Sequence, residues 1–542
     1  MSKSGLLAAA ALCALAAVSS APVLADASDA QVNAVIDEGL NRSEAMTTAS
    51  ALMDGIGPRL TNSENYRRAA DWAVARFQSM GLQNVHREGF DFGLGWNVDS
   101  YRATMIAPRR IEMTVMPVAW SPPTNGTLRA PIIIAPVGNP GRFELWKQEW
   151  KGKLAGKIVL TSLPGTTQEP TKPLFRRLDD KEIGEADKFD LPSFDPAAMD
   201  RRVKRVTYPL DLSRFLKDEG ALAQVKISYR DGKLVHGEGY NYRPGETLAL
   251  PAFELAAEDY RRLVRLAKTG PASEIELSLA ARFDDSTLQA QNLFGDIVGS
   301  DPKAGYVMAG GHFDSWIAGD GAADNGAGSA VVMEAARILS RLGVKPRRTI
   351  RFALWAGEEQ GLLGSRAYIE QHLATRPVDP KLGGIAAYAA WANAWPITPK
   401  AGYNDLKAYF NLDNGGGKVR GIYAENNIAA EPMLKKWLSP FDGMGASRVV
   451  TSKTGGTDHV FMQAIGLPGY QFIQDPLDYD SRVHHSNLDT LDHMRGDDLR
   501  QAATIMAAML LQAANSDKDL PRQPLPTKPV PTDPFKVTDP DE

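Results

Sequence analysis

Hydrophobic positions along the chain follow two rhythms. From Ala30 to about Met80 they recur at helical spacing, as in AADWAVARFQSMGL, where Ala69, Trp72, Ala73, Phe77 and Met80 share one face. Gly81 then supplies a stop. Leu82 to Phe92, Tyr101 to Ile106 and Ile111 to Val118 alternate and carry β-branched residues, which predicts strands that begin a main sheet. Two later apolar runs, Tyr306 to Ala309 and Thr349 to Ala356, each end abruptly in Gly and then in polar side chains. Ligands gather at the carboxyl ends of strands in an open parallel sheet. His312, Asp314, Asp324, Glu358 and Glu359, in GGHFDSWIAGDGAADNGAGSA and WAGEEQGLLGS, are therefore expected at one rim.

That rim changes the picture from fold to chemistry. His312, Asp324 and Glu359 offer one imidazole and two carboxylates, a mixture that suits zinc in a site left open for water. Further along, the apolar run AYFNL delivers Asp413, and His485 stands in VHHSNLDT. Taken singly, an Asp after a strand is ordinarily a turn or cap residue, and a Glu-Glu pair before a helix complements its dipole. A metal site rests on the whole ordered set rather than on any one member.

GGHFDSW, GAADNGAG, WAGEEQGLLGS, NLDNG and HHSNLDT, in that order within Asn41 to Ala513, resemble the co-catalytic zinc exopeptidases of metallopeptidase family 28. The resemblance implies an α/β catalytic domain, a mostly parallel sheet flanked by helices, interrupted by a β-rich protease-associated domain. It implies two zinc ions per chain: His312 and Asp413 on one, Glu359 and His485 on the other, Asp324 shared between them. Glu358 would be the general base, and Asp314 would accept the imidazole N–H of His312. His484 stands where relatives often have a Tyr and would replace it as an oxyanion donor. The paired His484 and His485 most resemble a branch of the family for which dipeptides and carboxyl-terminal residues are the expected substrates. Asp458, in GGTDHVFMQAIGLPG, is either a substrate or supporting contact or a helix cap. Arg482 is either a clamp for a substrate carboxylate or an exposed cation. Asn62, in IGPRLTNSENYRRAA, stands where relatives usually have Gly. Family similarity also implies a homodimer.

Length and composition set the frame. At 542 residues the chain is long enough for two or three domains, and a net charge of −4 gives no reason to expect nucleic acid. Lys3, the apolar stretch Leu6 to Val18 and the small-residue end at Ala25 read as a secretory signal, 1–25, cleaved after Ala25. That stretch is shorter than the ~20 residues a membrane span needs, so no stable membrane insertion is expected. Cys13, the single cysteine, lies inside it, so the exported chain, periplasmic or secreted, would have no disulfide. The pattern changes near Ser121-Pro122-Pro123, which places the first part of the catalytic domain at 26–120, the insertion at 121–283, and the second part with the metal site at 284–515. Thr166 to Arg205 reads as a mobile excursion or lid, and His372 to Tyr403 as a second insertion overhanging the cleft. The tail 516–542 is rich in proline and charge and is expected to bury nothing. The expected activity is hydrolysis of terminal bonds in short peptides. Two alternatives remain: an aminopeptidase on longer peptides, and a non-catalytic peptide-binding protein, which would predict damaged ligands.

Overall fold

The computed structural model describes residues 27–138, 140–167, 170–190, 196–270, 273–382, 384–391 and 394–527. The secretory signal expected at 1–25 and the last part of the tail lie outside them.

Eight strands form the main sheet. They are β1 Gln83–Asp91, β2 Gln289–Ile297, β3 Tyr306–His312, β4 Thr349–Trp355, β5 Leu406–Asn411, β6 Val419–Tyr423, β7 Arg448–Val450 and β8 Gly469–Gln474, in the spatial order β1-β2-β4-β3-β5-β8-β6-β7. The central strands β4, β3, β5 and β8 run parallel, and antiparallel pairings flank them. Successive side chains on a strand point to opposite faces, and the cores divide accordingly. Val307 and Ala309, Ile350, Phe352 and Leu354, and Ala408 and Phe410 join one apolar cluster with helices Glu64–Ser79, Ala327–Arg341 and Gly496–Asn515. Met308, Ala353, Trp355 and Tyr409 join a second cluster with Tyr368, Leu373, Trp391 and Phe461. A sheet covered on both faces needs mostly apolar strands, as β3 and β4 are, and the charged exception within β4, Arg351, is paired with Asp296 at 2.9 Å.

A second eight-stranded sheet is built from residues 95–284. Its long strands Gly95–Ala107 and Glu274–Asp284 pair antiparallel directly beyond the β1–β2 pair, so one two-stranded ribbon leads from the main sheet into the second. This corrects the expectation that Tyr101 to Ile106 and Ile111 to Val118 begin the main sheet. Alternation identifies a strand but not its partner, and the second sheet starts before the composition changes at Ser121. Many of its apolar residues, among them Met105, Ile158, Val225, Phe253 and Leu277, belong to the same cluster as the main core, while others such as Val159 and Ala252 form smaller clusters.

Described parts of three segments expected to stand apart from the core make contacts with it. Within 166–205, Arg177 pairs with Asp475 and Asp498 at 2.8 Å each, and the Leu178 N–H donates to Asp475 at 2.9 Å. In 372–403, Leu373, Ala374, Trp391 and Ile397 are buried against the main sheet, and no described residue of this stretch lines the metal cavity. The start of the tail is tied down by Arg348–Asp519 at 2.8 Å, by Arg522 donating to the Leu406 carbonyl at 2.7 Å, and by buried Leu520. Proline-rich composition argues against an independent core, not against docking on an existing one. No helix among the described residues is long and apolar enough to cross a membrane.

Candidate metal centre

The carboxyl ends of β3, β4 and β5 deliver His312, the Glu358–Glu359 turn and Asp413 to one rim, as the strand pattern predicts. Asp324 arrives on the glycine-rich loop before helix Ala327–Arg341, and His485 on the loop after β8. Gly321 opens that glycine-rich loop at φ 62°, a left-handed conformation that glycine adopts without strain. Asp324, Glu358, Glu359, Asp413, Tyr479, His484 and His485 line a single cavity of about 170 Å³, together with backbone near Gly361 and Gly456.

The geometry centres on Asp324. Its Oδ1 lies 3.1 Å from His312 Nε2, and its Oδ2 lies 3.2 Å from His485 Nε2. His312 Nε2 is also 3.5 Å from Asp413 Oδ1, and His485 Nε2 is 3.0 Å from Glu359 Oε2. Asp324 therefore faces two separate imidazole–carboxylate pairs, one with each oxygen.

Charge is crowded here. Burial would raise the Asp324 carboxyl, but its bonds to His312 and His485 hold it well below the usual range. Burial and neighbouring carboxylates push Glu358 well up, and burial, with Asp324 beside it, takes Glu359 to about 7. Glu359 Oε1 is buried with no hydrogen-bond partner. Buried acids in this number and with an orphaned oxygen fit divalent cations. His312 Nε2, an Asp324 oxygen and a Glu359 oxygen lie close enough together to hold one ion, as do donors from Asp324, His484 and His485. Imidazole and carboxylate donors around an accessible cavity suit zinc.

The supporting residues are partly those expected. His312 Nδ1 lies 3.0 Å from the main-chain carbonyl of Asp314, and the carboxylate sits farther off at 3.8 Å. This corrects the role expected for Asp314. The carboxylate instead accepts from the N–H groups of Glu358 and Glu359, at 3.2 and 3.3 Å, and from the Thr61 hydroxyl at 2.9 Å. It holds the turn that presents both glutamates. Arg482 pairs with Asp478 at 2.9 Å, its side chain partly exposed, and is not among the residues that line the cavity, as the exposed-cation reading has it. Asp458 is fully buried beside the Ser365 hydroxyl, and burial pushes its carboxyl up to about 7. His484 stacks on His485 with ring centres 3.7 Å apart, and burial beside that second imidazole pushes it down to about 4. Its ring lies at the cavity wall. Asn62 adopts φ 61° and donates to the Gly93 and Thr287 carbonyls, so it does what a glycine would do there and also ties the ribbon between the two sheets.

Four supporting residues escape a motif reading. The Tyr479 hydroxyl donates to Asp324 Oδ2 at 2.9 Å. Asp489 accepts from the N–H groups of Ala323 and Asp324 at 2.6 and 3.2 Å, fixing the loop from below. Glu238, from the second sheet's part of the chain, meets His485 Nδ1 at 2.6 Å. Arg59 is completely buried and donates to the carbonyls of Phe313, Gly57, Asp320 and Gly321 at 2.7–3.0 Å, clamping both loops. Its motif position, in the sequence before the helix, gives no hint of this. Arg59→Ala would leave four carbonyls, three of them buried, unsatisfied at about 1–3 kcal/mol each, partly repaired by water. We expect a net loss of roughly 3–5 kcal/mol in stability, read by urea unfolding; an unchanged midpoint would show that the clamp is dispensable.

Residues 292–510 match Peptidase family M28. Over that stretch, which holds His312, Asp324, Glu359, Asp413 and His485, the chain is similar to this family. It is a metallo-exopeptidase. Carboxypeptidase Q of Bos taurus is 26% identical over 488 residues, 89% of this chain and 88% of that protein, and carboxypeptidase Q of Homo sapiens is 25% identical over 92% of this chain and 90% of that protein. A peptidase M28 precursor from Shewanella amazonensis has the same fold, with a TM-score of 0.65, 24% identity and coverage of 92% of this chain and 98% of that one.

Proposed function

We propose that this enzyme is an exported dizinc exopeptidase that cleaves short peptides, dipeptides above all. The observation that carries the reading is the placement of Asp324, whose two oxygens face two different imidazole–carboxylate pairs. His312 and Asp413 would hold one ion, Glu359 and His485 the other, with Asp324 common to both. Bound there, a zinc pair supplies Lewis acidity and a water acidified to near-neutral pH. Glu358, on the same cavity wall, takes the water's proton on its carboxylate and passes it to the leaving amine. His484 donates an N–H to the oxygen of the scissile carbonyl as negative charge develops, and the buried Tyr479 hydroxyl keeps Asp324 oriented.

The size of the cavity favours short substrates, and the names of the relatives favour action at a chain end. The cavity, at about 170 Å³, is smaller than sites that take drug-sized ligands. The relatives aligned over most of the chain are named carboxypeptidase Q, although a solved neighbour of 19% identity is a zinc aminopeptidase from Bacillus subtilis. Export rests on the charged, apolar and small-residue pattern ending at Ala25.

The test is hydrolysis of one dipeptide presented free, N-acetylated and C-amidated to the zinc-loaded protein. A dipeptidase loses activity on either modification, and that is the expected result. Loss only on acetylation would make it an aminopeptidase, loss only on amidation a carboxypeptidase, and no hydrolysis of any form a binding protein.

A further inference from the structure

We propose that Glu238, carried by the second sheet's part of the chain, is a positioning residue of the metal centre, setting the orientation and tautomer of His485. The inference rests on the dizinc reading and extends the site to a region for which the sequence predicts no catalytic part.

Glu238 lies on the connection between strands Ala223–Ile227 and Ala252–Leu255. Its Oε1 is 2.6 Å from His485 Nδ1 and also accepts from the Tyr229 hydroxyl at 3.1 Å. A ring nitrogen that donates to a carboxylate carries the proton, which leaves the lone pair on the other nitrogen. That other nitrogen, Nε2, is the one facing Asp324 and Glu359. Carboxylate, imidazole and metal position thus fall in the order by which outer carboxylates fix ligating histidines.

Two further observations make the contact a built one. The same connection is stitched to the His485 loop on both sides: Arg230 donates to the His484 carbonyl at 3.0 Å, and Val235 and Asn487 exchange two hydrogen bonds at 3.0 Å each. His485 itself sits at φ 60°, a left-handed conformation that a non-glycine residue holds only when its surroundings enforce it. Within its own loop the His485 ring has no other hydrogen-bond partner at Nδ1. The sheet that the main fold carries as an excursion therefore supplies the group that aims one ligand.

The experiment compares zinc binding by the full chain and its Glu238→Ala and Glu238→Gln variants, titrating metal-free protein against a chromophoric chelator. Thermal melting of the metal-free forms is recorded alongside. For Glu238→Ala we expect one of two ions to bind about 10–100-fold more weakly, the other to keep its affinity, and metal-free melting to stay at the wild-type value. Glu238→Gln, whose amide oxygen still accepts from Nδ1–H, should fall between. In cobalt-substituted protein the visible absorption of one site alone should shift. Wild-type affinity for both ions in the Gln and Ala variants would overturn the inference. So would equal weakening of both ions together with lower metal-free melting, which would mark Glu238 as a packing residue. If Ala does not fold, the Gln variant decides: weakening confined to one ion supports the role, and unchanged binding refutes it. Failure of the wild type to take up two ions would instead overturn the dizinc reading itself, and this inference with it.

Discussion

Replacing Glu358 by Gln should lower peptide hydrolysis by about 10²–10⁴-fold, the range a positioned general base supplies, while zinc content stays at the wild-type level. Glu358 and Glu359 are neighbours on one turn, yet of the two only Glu359 forms a close pair with an imidazole, at 3.0 Å from His485. Glu358 makes no comparable ion pair; burial and the nearby Asp413 and Glu359 carboxylates push its carboxyl well above the usual range. A neutral amide of the same shape removes the proton acceptor and also relieves that repulsion, so the variant should fold at least as stably as its parent. The turn itself depends on main-chain bonds to Asp314, which the substitution leaves alone. The rate on a free dipeptide and the metal content by elemental analysis check this. A variant that kept a tenth of the activity would remove Glu358 from the proton-transfer role.

Asp324→Ala should abolish both zinc binding and hydrolysis. Each oxygen of Asp324 serves a different imidazole, so truncation takes a donor from both ions at once, whereas loss of Asp413 or Glu359 takes one from a single ion. The side chain is buried and its loop is held by Asp489 and Arg59, so the main chain is not free to shift another residue of that loop into its place. Stability gives an independent readout. A ligand at 100 times its Kd adds about 2.7 kcal/mol, so zinc should raise the melting temperature of the parent and leave that of Asp324→Ala unmoved. Zinc-dependent stabilisation of the variant equal to the parent's would mean that the ions do not share this residue.

Much of the site is legible along the chain because it sits where strand ends put it. An apolar run that stops at Gly and then shows His or Glu announces both the strand and what its end presents, which brings His312, Glu358, Glu359 and Asp413 to one rim. The residues that hold those ligands are less legible. Glu238 and His485 are partners only because two loops from different sheets meet, and Arg59 reaches four carbonyls that no local pattern associates with it. Tyr479 lies in a segment whose turn residues signal a loop without saying which way its ring faces. The same limit explains the misplaced strands: Tyr101 to Ile106 alternates like any half-buried strand, and only the partner, Glu274–Asp284, shows which sheet it joins. The docked start of the tail turns on Leu520, Asp519 and Arg522, a few residues within a composition that otherwise reads as unpacked.

The central claim is that one buried aspartate joins two metal ions. Its most direct measurement is zinc stoichiometry: metal-free protein is titrated with zinc while heat of binding and dipeptide hydrolysis are followed together. The account predicts two equivalents per chain, with full activity reached only as the second is bound. Saturation and full activity at a single equivalent, or activity without zinc, would contradict it.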